Sequence, residues 1–331
     1  MRVLVTIPKG DVFDSFFDEE AKKMLSELGE VEYNESEMRL SEEELCKKLN
    51  DKDVCITGWG DGPFSEKTVG CCDKLKVIAH TGGSVGNLTP DCVYDKGITV
   101  LSGNEIYADS VAEGVICYIL SSLRRIPYYT NKMQNDGWHE KNWYNEGLIG
   151  KKVGIVGFGA VSRYLLDYLK PFRCEVFVYS RHMSDEDAER YGVKKKDMDF
   201  IFSNCDVISL QLAQNKENYH IVSFDYLEKI KRGALLVNTS RGSVLDEKAL
   251  VKTVEKNGYR AVLDVFEQEP LPMDSILRNN AGIMLIPHMG GPTMDRRVFV
   301  TKELIRETGR VLNGEKSYLN ISREKMHFMT K

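Results

Sequence analysis

Short apolar runs alternate along the chain with segments whose apolar residues recur at helical spacing. In the first hundred residues, four apolar runs predict strands, and they lie at 3–7, 53–57, 76–80 and 98–101. Helical patterns separate these strands, at 14–28, at 41–49 and directly after Pro90. Gly29 ends the first of these helices, and Ser41 with Glu44 forms a capping box at the start of the second. The alternation predicts a parallel sheet with helices on its faces.

From Gly150 the alternation begins again, with six more predicted strands. They lie at 153–156, 176–179, 207–212, 234–238, 261–265 and 283–286. Six parallel strands are the number in a complete doubly wound dinucleotide-binding sheet, where the cofactor lies across the carboxyl ends of the strands. Long helical patterns at about 106–125 and 293–312 flank this block, and we expect them to cross between two domains.

The predicted fold class is therefore α/β, with two Rossmann-like or flavodoxin-like doubly wound parallel-sheet domains in 331 residues. Residues 1–102 and 293–331 would form a discontinuous substrate-binding domain. Residues 103–292 would form the dinucleotide-binding domain.

Composition narrows the classes of function. With 42% hydrophobic and 29% charged residues the chain can bury large cores, which argues against disorder. A net charge of -5 gives no basic field for nucleic acid, and Lys194 to Lys196 is interpreted as a solvated loop. We expect no membrane span, because no run approaches about 18 apolar residues. The eight cysteines contain no Cys-x-x-Cys pair, so a reducing cytoplasm is favoured. Adjacent Cys71 and Cys72 leave a redox pair or metal grip as the less favoured alternative.

A glycine turn carries the first chemical signal. Gly157, Gly159, Ala160 and Val161 lie between a predicted strand and a predicted helix, the context in which G-x-G indicates pyrophosphate binding at a helix N-terminus. Gly157 permits the tight turn and Gly159 lets the backbone approach the phosphates. Ser162 stands where a third glycine is usual, and an ordinary structural turn is the alternative.

The next predicted strand should end beside the adenosine ribose, where an acidic residue would bind the 2'-OH of NAD. Ser180 and Arg181 stand there instead. A guanidinium suits a 2'-phosphate, so the sequence favours NADP(H), with NAD(H) possible if Arg181 is only a surface residue.

Three polar segments follow predicted strand ends in the same block. They contain Arg241, Glu269 and His288. Reduction of a 2-keto acid needs a cation for the carboxylate, a proton donor for the carbonyl oxygen and a partner that tunes the donor, and these three residues can supply those roles. Taken singly, each has an ordinary structural interpretation.

The segments N-T-x-R-G, D-V-F-x-x-E-P and P-H-x-G-G resemble those of the D-isomer-specific 2-hydroxyacid dehydrogenases. The resemblance implies that Arg241 binds substrate, that His288 is the acid/base, and that Glu269 pairs with His288 and raises its pKa. It implies a homodimer acting on a small 2-keto or 2-hydroxy acid, and we expect no metal site. It also assigns Thr239, Asp264 and Gly290 to the cofactor.

The loop after the strand at 76–80 resembles the substrate loop of that family. Gly83, Ser84 and Val85 would hold the carboxylate through main-chain N–H groups, and an ordinary tight turn is the alternative. Trp59 would wall the substrate pocket or simply pack. Gln211 and Ala213 depart from the usual histidine and proline of the family.

Two other classes of protein are alternatives. A formate dehydrogenase would need glutamine where Glu269 stands. A dinucleotide-sensing, corepressor-like protein of the same fold is the alternative function, although no added tail for recruiting partners is visible.

Overall fold

The computed structural model describes residues 1–135, 137–139, 141 and 143–330. The chain forms two compact units. The five-stranded unit consists of Met1–Tyr107 and Pro292–Lys331, and the seven-stranded unit of Ala108–Gly291. Both sheets are entirely parallel in the described residues, which confirms the predicted fold class.

The five-stranded sheet has the order β2-β1-β3-β4-β5. Its strands are β1 (Arg2–Val5), β2 (Glu30–Tyr33), β3 (Val54–Thr57), β4 (Val77–His80) and β5 (Thr99–Ser102). The helices that begin in this unit are α1 (Asp11–Phe16), α2 (Glu19–Leu28), α3 (Glu42–Leu49), α4 (Glu66–Gly70), α5 (Asp91–Asp95), α6 (Asn104–Leu123), α13 (Met294–Leu312) and α14 (Arg323–His327).

Local chemistry explains where this unit agrees with the sequence and where it differs. The predicted capping box of Ser41 and Glu44 is present at α3. The single helix predicted at 14–28 is wrong, because Asp18 accepts the Ala21 N–H at 2.7 Å and starts α2 as a new helix. β2 was not predicted, since its alternating charges disguise an edge strand.

The seven-stranded sheet has the order β12-β11-β10-β9-β6-β7-β8. Its strands are β6 (Lys152–Val156), β7 (Glu175–Tyr179), β8 (Lys194–Lys195), β9 (Val207–Leu210), β10 (Leu235–Asn238), β11 (Arg260–Leu263) and β12 (Ile283–Leu285). Its further helices are α7 (Ile126–Asn135), α8 (Ala160–Leu169), α9 (Asp185–Tyr191), α10 (Met198–Asn204), α11 (Phe224–Leu227) and α12 (Glu247–Asn257), with 3-10 turns at Lys170–Phe172 and Gly242–Val244.

β8 corrects the interpretation of the lysine run as a loop. Lys194 and Lys195 pair with Phe177 and Val178 of β7, and both lysine side chains are exposed. A charged, two-residue strand suits a sheet edge, where it discourages pairing with other chains.

The strand order reverses at β6. Consecutive strands β6 and β7 are neighbours, whereas β9 returns to the other side of β6. The carboxyl end of β6 is therefore the switch point where doubly wound sheets bind ligands. Buried apolar side chains cover both faces, such as Ile208 and Leu236 on one and Ile155 and Val237 on the other.

α6 qualifies the expectation that no segment could span a membrane. Among the described residues, α6 is the one helix whose length and composition would allow it to cross a membrane. More than half of that window is buried inside the protein, as in the core helix of a water-soluble protein, so the match is weak support for a span.

Candidate active site

The three predicted catalytic residues follow neighbouring strands of the seven-stranded sheet. Arg241 follows β10, Glu269 lies in the segment after β11, and His288 follows β12. Because these strands are parallel and adjacent, their carboxyl ends bring the three loops to one edge of the sheet.

Glu269 and His288 are in direct contact. His288 Nδ1 lies 2.5 Å from Glu269 Oε2, and a carboxylate at this distance favours a proton on Nδ1. The other carboxylate oxygen, Oε1, accepts the Phe266 N–H at 3.0 Å, so Glu269 is held from two sides. The His288 side chain is 49% exposed. Its second ring nitrogen, Nε2, is therefore left for a partner outside this pair.

The backbone around His288 is held by Asp264. His288 has a φ of +46°, a left-handed conformation that is uncommon outside glycine. Asp264 Oδ1 accepts the Met289 N–H and Oδ2 accepts the Gly290 N–H, each at 2.9 Å. The Tyr118 hydroxyl also donates to Oδ1, at 3.4 Å. These contacts fix the loop that carries His288.

Burial raises the pKa of the Asp264 carboxyl, while the Met289 and Gly290 N–H groups act in the opposite direction. A Cβ at Gly290 would lie 2.6 Å from Asp264 Oδ2. Glycine is therefore required for this approach, and any side chain there would displace the carboxylate or the loop.

Arg241 lies on a loop ordered by a buried amide. Asn238 Oδ1 accepts the Ser240 N–H at 3.1 Å and the Ser240 hydroxyl at 2.8 Å, and Asn238 Nδ2 donates to the Arg241 carbonyl at 3.0 Å. Burial lowers the pKa of the Arg241 guanidinium, and the charge of Glu269 opposes that shift.

The Arg241 guanidinium keeps capacity for an anion. Its Nη1 donates to the Ser240 carbonyl at 2.6 Å, the one hydrogen bond of this guanidinium within the described residues. A guanidinium has five N–H donors. Burial and spare donors together make Arg241 suited to a carboxylate.

Gly242 lets the Arg241 loop pack directly on the segment that leads to Glu269. A Cβ at this position would lie 1.8 Å from the Phe266 carbonyl carbon. Because the obstacle is backbone, no rotamer change could relieve it. The glycine therefore fixes the approach of these two loops.

The glycine turn after β6 fits a pyrophosphate. Gly157 has a φ of +110°, and a Cβ there would lie 2.2 Å from the Gln211 carbonyl oxygen. Gly159 is the N-cap of α8, and in the described part of the chain no side chain caps it and no atom lies within 4 Å of its ideal Cβ position. The first N–H groups of α8, at Ala160 and Val161, thus remain for an anion.

Gln211 and Thr239 lie in the same region of the sheet edge. Gln211 Nε2 donates to Thr239 Oγ1 at 2.9 Å and to Ser209 Oγ at 3.0 Å. The glutamine that departs from the family pattern therefore ties the loops after β9 and β10 together.

Beyond β7, Arg181 is already engaged by protein groups. Its Nη1 lies 2.6 Å from Glu217 Oε2, and its Nη2 donates to Asn218 Oδ1 at 3.3 Å. Ser180 Oγ accepts the His182 N–H at 3.1 Å. An acidic residue, Glu217, therefore lies in this region, on the loop after β9 and not on the loop after β7.

The predicted substrate loop belongs to the five-stranded unit. Ser84 Oγ donates to the Thr330 carbonyl at 2.7 Å, and Val85 is fully buried, main chain included. Gly83 would accept a Cβ at ordinary contact distance from Tyr107. Packing therefore does not require glycine at this position.

Trp59 packs in an aromatic cluster of the same unit. Its ring meets Phe16 and Tyr107 edge-on, and the Arg297 guanidinium carbon lies 5.0 Å from its centre. The residue is nevertheless 39% exposed. Packing and a role as a pocket wall are therefore compatible.

Sequence reasoning missed Tyr118, Glu217 and Arg297. Tyr118 lies in an apolar helix, and Glu217 lies in a polar loop, so neither carries a pattern that marks it. Arg297 is far from Trp59 in the sequence, and only the folded structure brings the two side chains together. Within the described residues no group of three or more His, Cys, Asp or Glu could hold a metal ion.

Comparison with known proteins gives a family match to the seven-stranded unit. Residues 116–290 match the model described as "D-isomer specific 2-hydroxyacid dehydrogenase, NAD binding domain". That range includes the glycine turn, Arg181 and all three candidate catalytic residues.

Relatives and solved structures extend the match over nearly the whole chain. D-3-phosphoglycerate dehydrogenase of Methanocaldococcus jannaschii is 30% identical over 95% of this chain, and the chain spans only 58% of that protein. Glyoxylate reductase of Thermococcus litoralis is 30% identical, covering 83% of this chain and 85% of the relative. The crystal structure of a glyoxylate reductase from Paecilomyes thermophila aligns with a TM-score of 0.80 and 25% identity, covering 98% of this chain and 99% of that one.

Proposed function

Because the chain belongs to the D-isomer specific 2-hydroxyacid dehydrogenase family, we propose that it interconverts a small 2-keto acid and the D-2-hydroxy acid with a nicotinamide cofactor. The observation that carries this proposal is the 2.5 Å contact between His288 and Glu269. This pair lies at the same edge of the sheet as Arg241. A proton carrier, its carboxylate partner and a carboxylate-binding cation are the groups that this reaction requires.

Each side chain has a defined task in the reduction. When bound, the cofactor supplies the hydride that C2 of the keto acid accepts. Arg241 binds the substrate carboxylate through its spare N–H donors. His288 Nε2 gives its proton to the carbonyl oxygen, while Glu269 keeps Nδ1 protonated and balances the positive charge of the ring. In the oxidation, Nε2 takes the hydroxyl proton.

The cofactor would be held by the turn after β6 and the loops at the same edge. The N-terminus of α8 has no side-chain cap, and together with Gly157 and Gly159 it suits the pyrophosphate. Asp264 would contact the nicotinamide end, and Thr239 and Gly290 would also contact the cofactor.

At the adenosine end we propose that NADP(H) is preferred and NAD(H) accepted. Arg181 and Ser180 follow β7, which is where a doubly wound sheet places the ribose. A guanidinium pairs with a 2'-phosphate through two parallel hydrogen bonds.

On the substrate side we propose that main-chain N–H groups of Gly83, Ser84 and Val85 bind the carboxylate and that Trp59 walls the pocket. The five-stranded unit would then be the substrate-binding domain. We further propose a cytoplasmic homodimer that acts on small molecules and binds neither nucleic acid nor membranes. Light scattering of the purified protein measures the assembly.

The test is a panel of 2-keto acids run with both cofactors. Purified protein should consume NADPH, and more slowly NADH, with glyoxylate, hydroxypyruvate or a related 2-keto acid, followed at 340 nm. Chiral analysis of the product should give the D-isomer. Binding of the nucleotide without turnover across the panel would overturn the proposal and favour a dinucleotide-sensing protein.

A further inference from the structure

The loops after β7 and β9 are joined by one charged contact. Arg181 comes from the β7 loop, and its partners Glu217 and Asn218 come from the loop after β9. β6 lies between β7 and β9 in the sheet. The contact therefore spans the carboxyl end of β6, where the turn that begins at Gly157 suits a pyrophosphate.

The two loops are held to β6 from both sides. The Gly157 N–H donates to the Tyr179 carbonyl at the end of β7, and the Gln211 N–H donates to the Val156 carbonyl at the end of β6, each at 2.8 Å. The bases of both loops are thus fixed by backbone hydrogen bonds. Arg181 and Glu217 lie beyond these bases, further along the two loops.

The partners of Arg181 differ in how firmly they are held. Asn218 is 4% exposed, and its Nδ2 donates to the Ala213 carbonyl at 2.8 Å. The Glu217 side chain is 71% exposed and pairs with Arg181. Asn218 is thus a fixed part of the loop, whereas the Glu217 carboxylate can leave Arg181 at little cost, since exposed ion pairs contribute little to stability.

We propose that Glu217 occupies, on Arg181, the place that the 2'-phosphate of NADP(H) takes, and that this carboxylate sets the ratio of the affinities for NADP(H) and NAD(H). The inference rests on the proposed use of a nicotinamide dinucleotide. An incoming 2'-phosphate must displace Glu217 from the guanidinium and then lie near a displaced negative charge. NAD(H), which has a 2'-hydroxyl there, leaves the ion pair intact.

The expected effects follow from charge. Glu217→Gln removes the competing carboxylate and keeps the shape of the side chain, so NADPH should bind about three- to tenfold more tightly, with NADH changed less than about twofold. Arg181→Gln should weaken NADPH at least about tenfold and leave NADH within about twofold. In the Arg181→Gln background, Glu217→Gln should have a smaller effect, because the two residues act on the same phosphate.

The experiment measures dissociation constants on the full chain by nicotinamide fluorescence, at several NaCl concentrations. Adenosine 2',5'-bisphosphate and AMP, followed by calorimetry, serve as probes that do not depend on catalysis. Glu228→Gln is the matched control, because it removes the same charge from an exposed glutamate that pairs with Lys256 on another helix. That control should leave all four dissociation constants within about twofold.

Equal changes for NADPH and NADH in Glu217→Gln, or no change for either, would overturn the inference. A failure of the proposed function gives a different result. If no 2-keto acid is reduced and yet Glu217→Gln tightens adenosine 2',5'-bisphosphate but not AMP, the specificity role stands without the reaction. If reduction is observed and the ratio does not move, the reaction stands without this role for Glu217.

Discussion

In both sheets, polar side chains lie at the carboxyl ends of the strands. The two sheets differ in whether these side chains are bonded to other protein groups. At the five-stranded edge Thr57, His80 and Ser102 are buried and bond to other protein groups. Thr57 Oγ1 lies 2.9 Å from His80 Nδ1, and Ser102 Oγ donates to the Gly83 carbonyl at 2.5 Å. Burial lowers the pKa of His80 to about 4, so its ring is neutral near pH 7.

At the seven-stranded edge the polar groups keep charges and unused hydrogen-bonding capacity. His288 has a carboxylate on one ring nitrogen and a half-exposed side chain, and Arg241 has donors to spare. The comparison teaches that parallel-sheet geometry brings polar groups together at both edges. The groups that we propose for proton transfer and anion binding at the seven-stranded edge keep capacity for a further partner, whereas Thr57, His80 and Ser102 bond to protein groups.

The largest effect should come from removing the cation at the seven-stranded edge. Arg241→Ala should lower kcat/KM by about 10³-fold, because two charge-assisted hydrogen bonds to a carboxylate contribute about 4 kcal/mol together. Arg241→Lys is the control that keeps the charge without the fork and should recover only part of the loss. Steady-state kinetics on the preferred keto acid measure both. A loss below tenfold in Arg241→Ala would remove this residue from the site.

His288→Gln should lower kcat at least about 10²-fold, since the proton donor is lost. The dissociation constant for NADPH and the thermal midpoint should hardly change, because His288 is half exposed and contributes little to packing. Single-turnover rates, fluorescence titration and calorimetry separate these quantities. Turnover within fivefold of the unaltered protein would contradict the acid/base assignment.

At the five-stranded edge the corresponding histidine should affect stability instead. The folded-state pKa of His80 is about 4, below its ordinary value of 6.5. As the pH falls, the unfolded chain therefore binds the proton first, and the folded state should lose about 3 kcal/mol between pH 6.5 and 4. Urea unfolding at pH 7 and pH 4.5 measures this.

His80→Asn keeps a hydrogen-bonding partner for Thr57 and removes the titrating ring. The pH-dependent loss should be smaller in this variant by about 2 to 3 kcal/mol. An identical pH dependence in the two proteins would show that His80 is not the group responsible.

The smallest effect should come from the long hydrogen bond of Tyr118. Tyr118→Phe leaves Asp264 with the two backbone donors that hold the His288 loop, so kcat should fall only about two- to threefold. Tyr168→Phe, which removes a hydroxyl that bonds Asp109 instead, is the control and should leave kcat unchanged. Equal losses in the two variants would contradict a specific role for Tyr118.

Most of the strands could be predicted because buried parallel strands are continuous apolar runs. β2 and β8 were not predicted, because neither is a continuous apolar run. Both are edge strands with charged residues, Glu30 and Glu32 in β2 and two lysines in β8. Hydrophobic periodicity also merged α1 and α2. It contains no information on the cap at Asp18, which competes with continuation of the helix.

For the site, the sequence identified residues that follow strand ends and could not identify their partners. Arg241, Glu269 and His288 lie in recognisable segments, and the structure brings Glu269 to His288. The contact between Arg181 and Glu217 joins residues 36 positions apart in two polar loops. No periodicity or spacing links such a pair, so only the path of the backbone could reveal it.

The division of the five-stranded unit between two segments has a consequence for synthesis on the ribosome. Its core includes Val300, Leu304 and Ile305 of α13 beside β1 and β3. At 5 to 20 residues per second, about 10 to 40 s pass between translation of residue 107 and of residue 312. During that interval the seven-stranded unit can fold. The apolar side chains of residues 1–107 that pack against α13 remain exposed until α13 has been made. The core of the five-stranded unit is thus completed only after the seven-stranded unit between its two segments has been made.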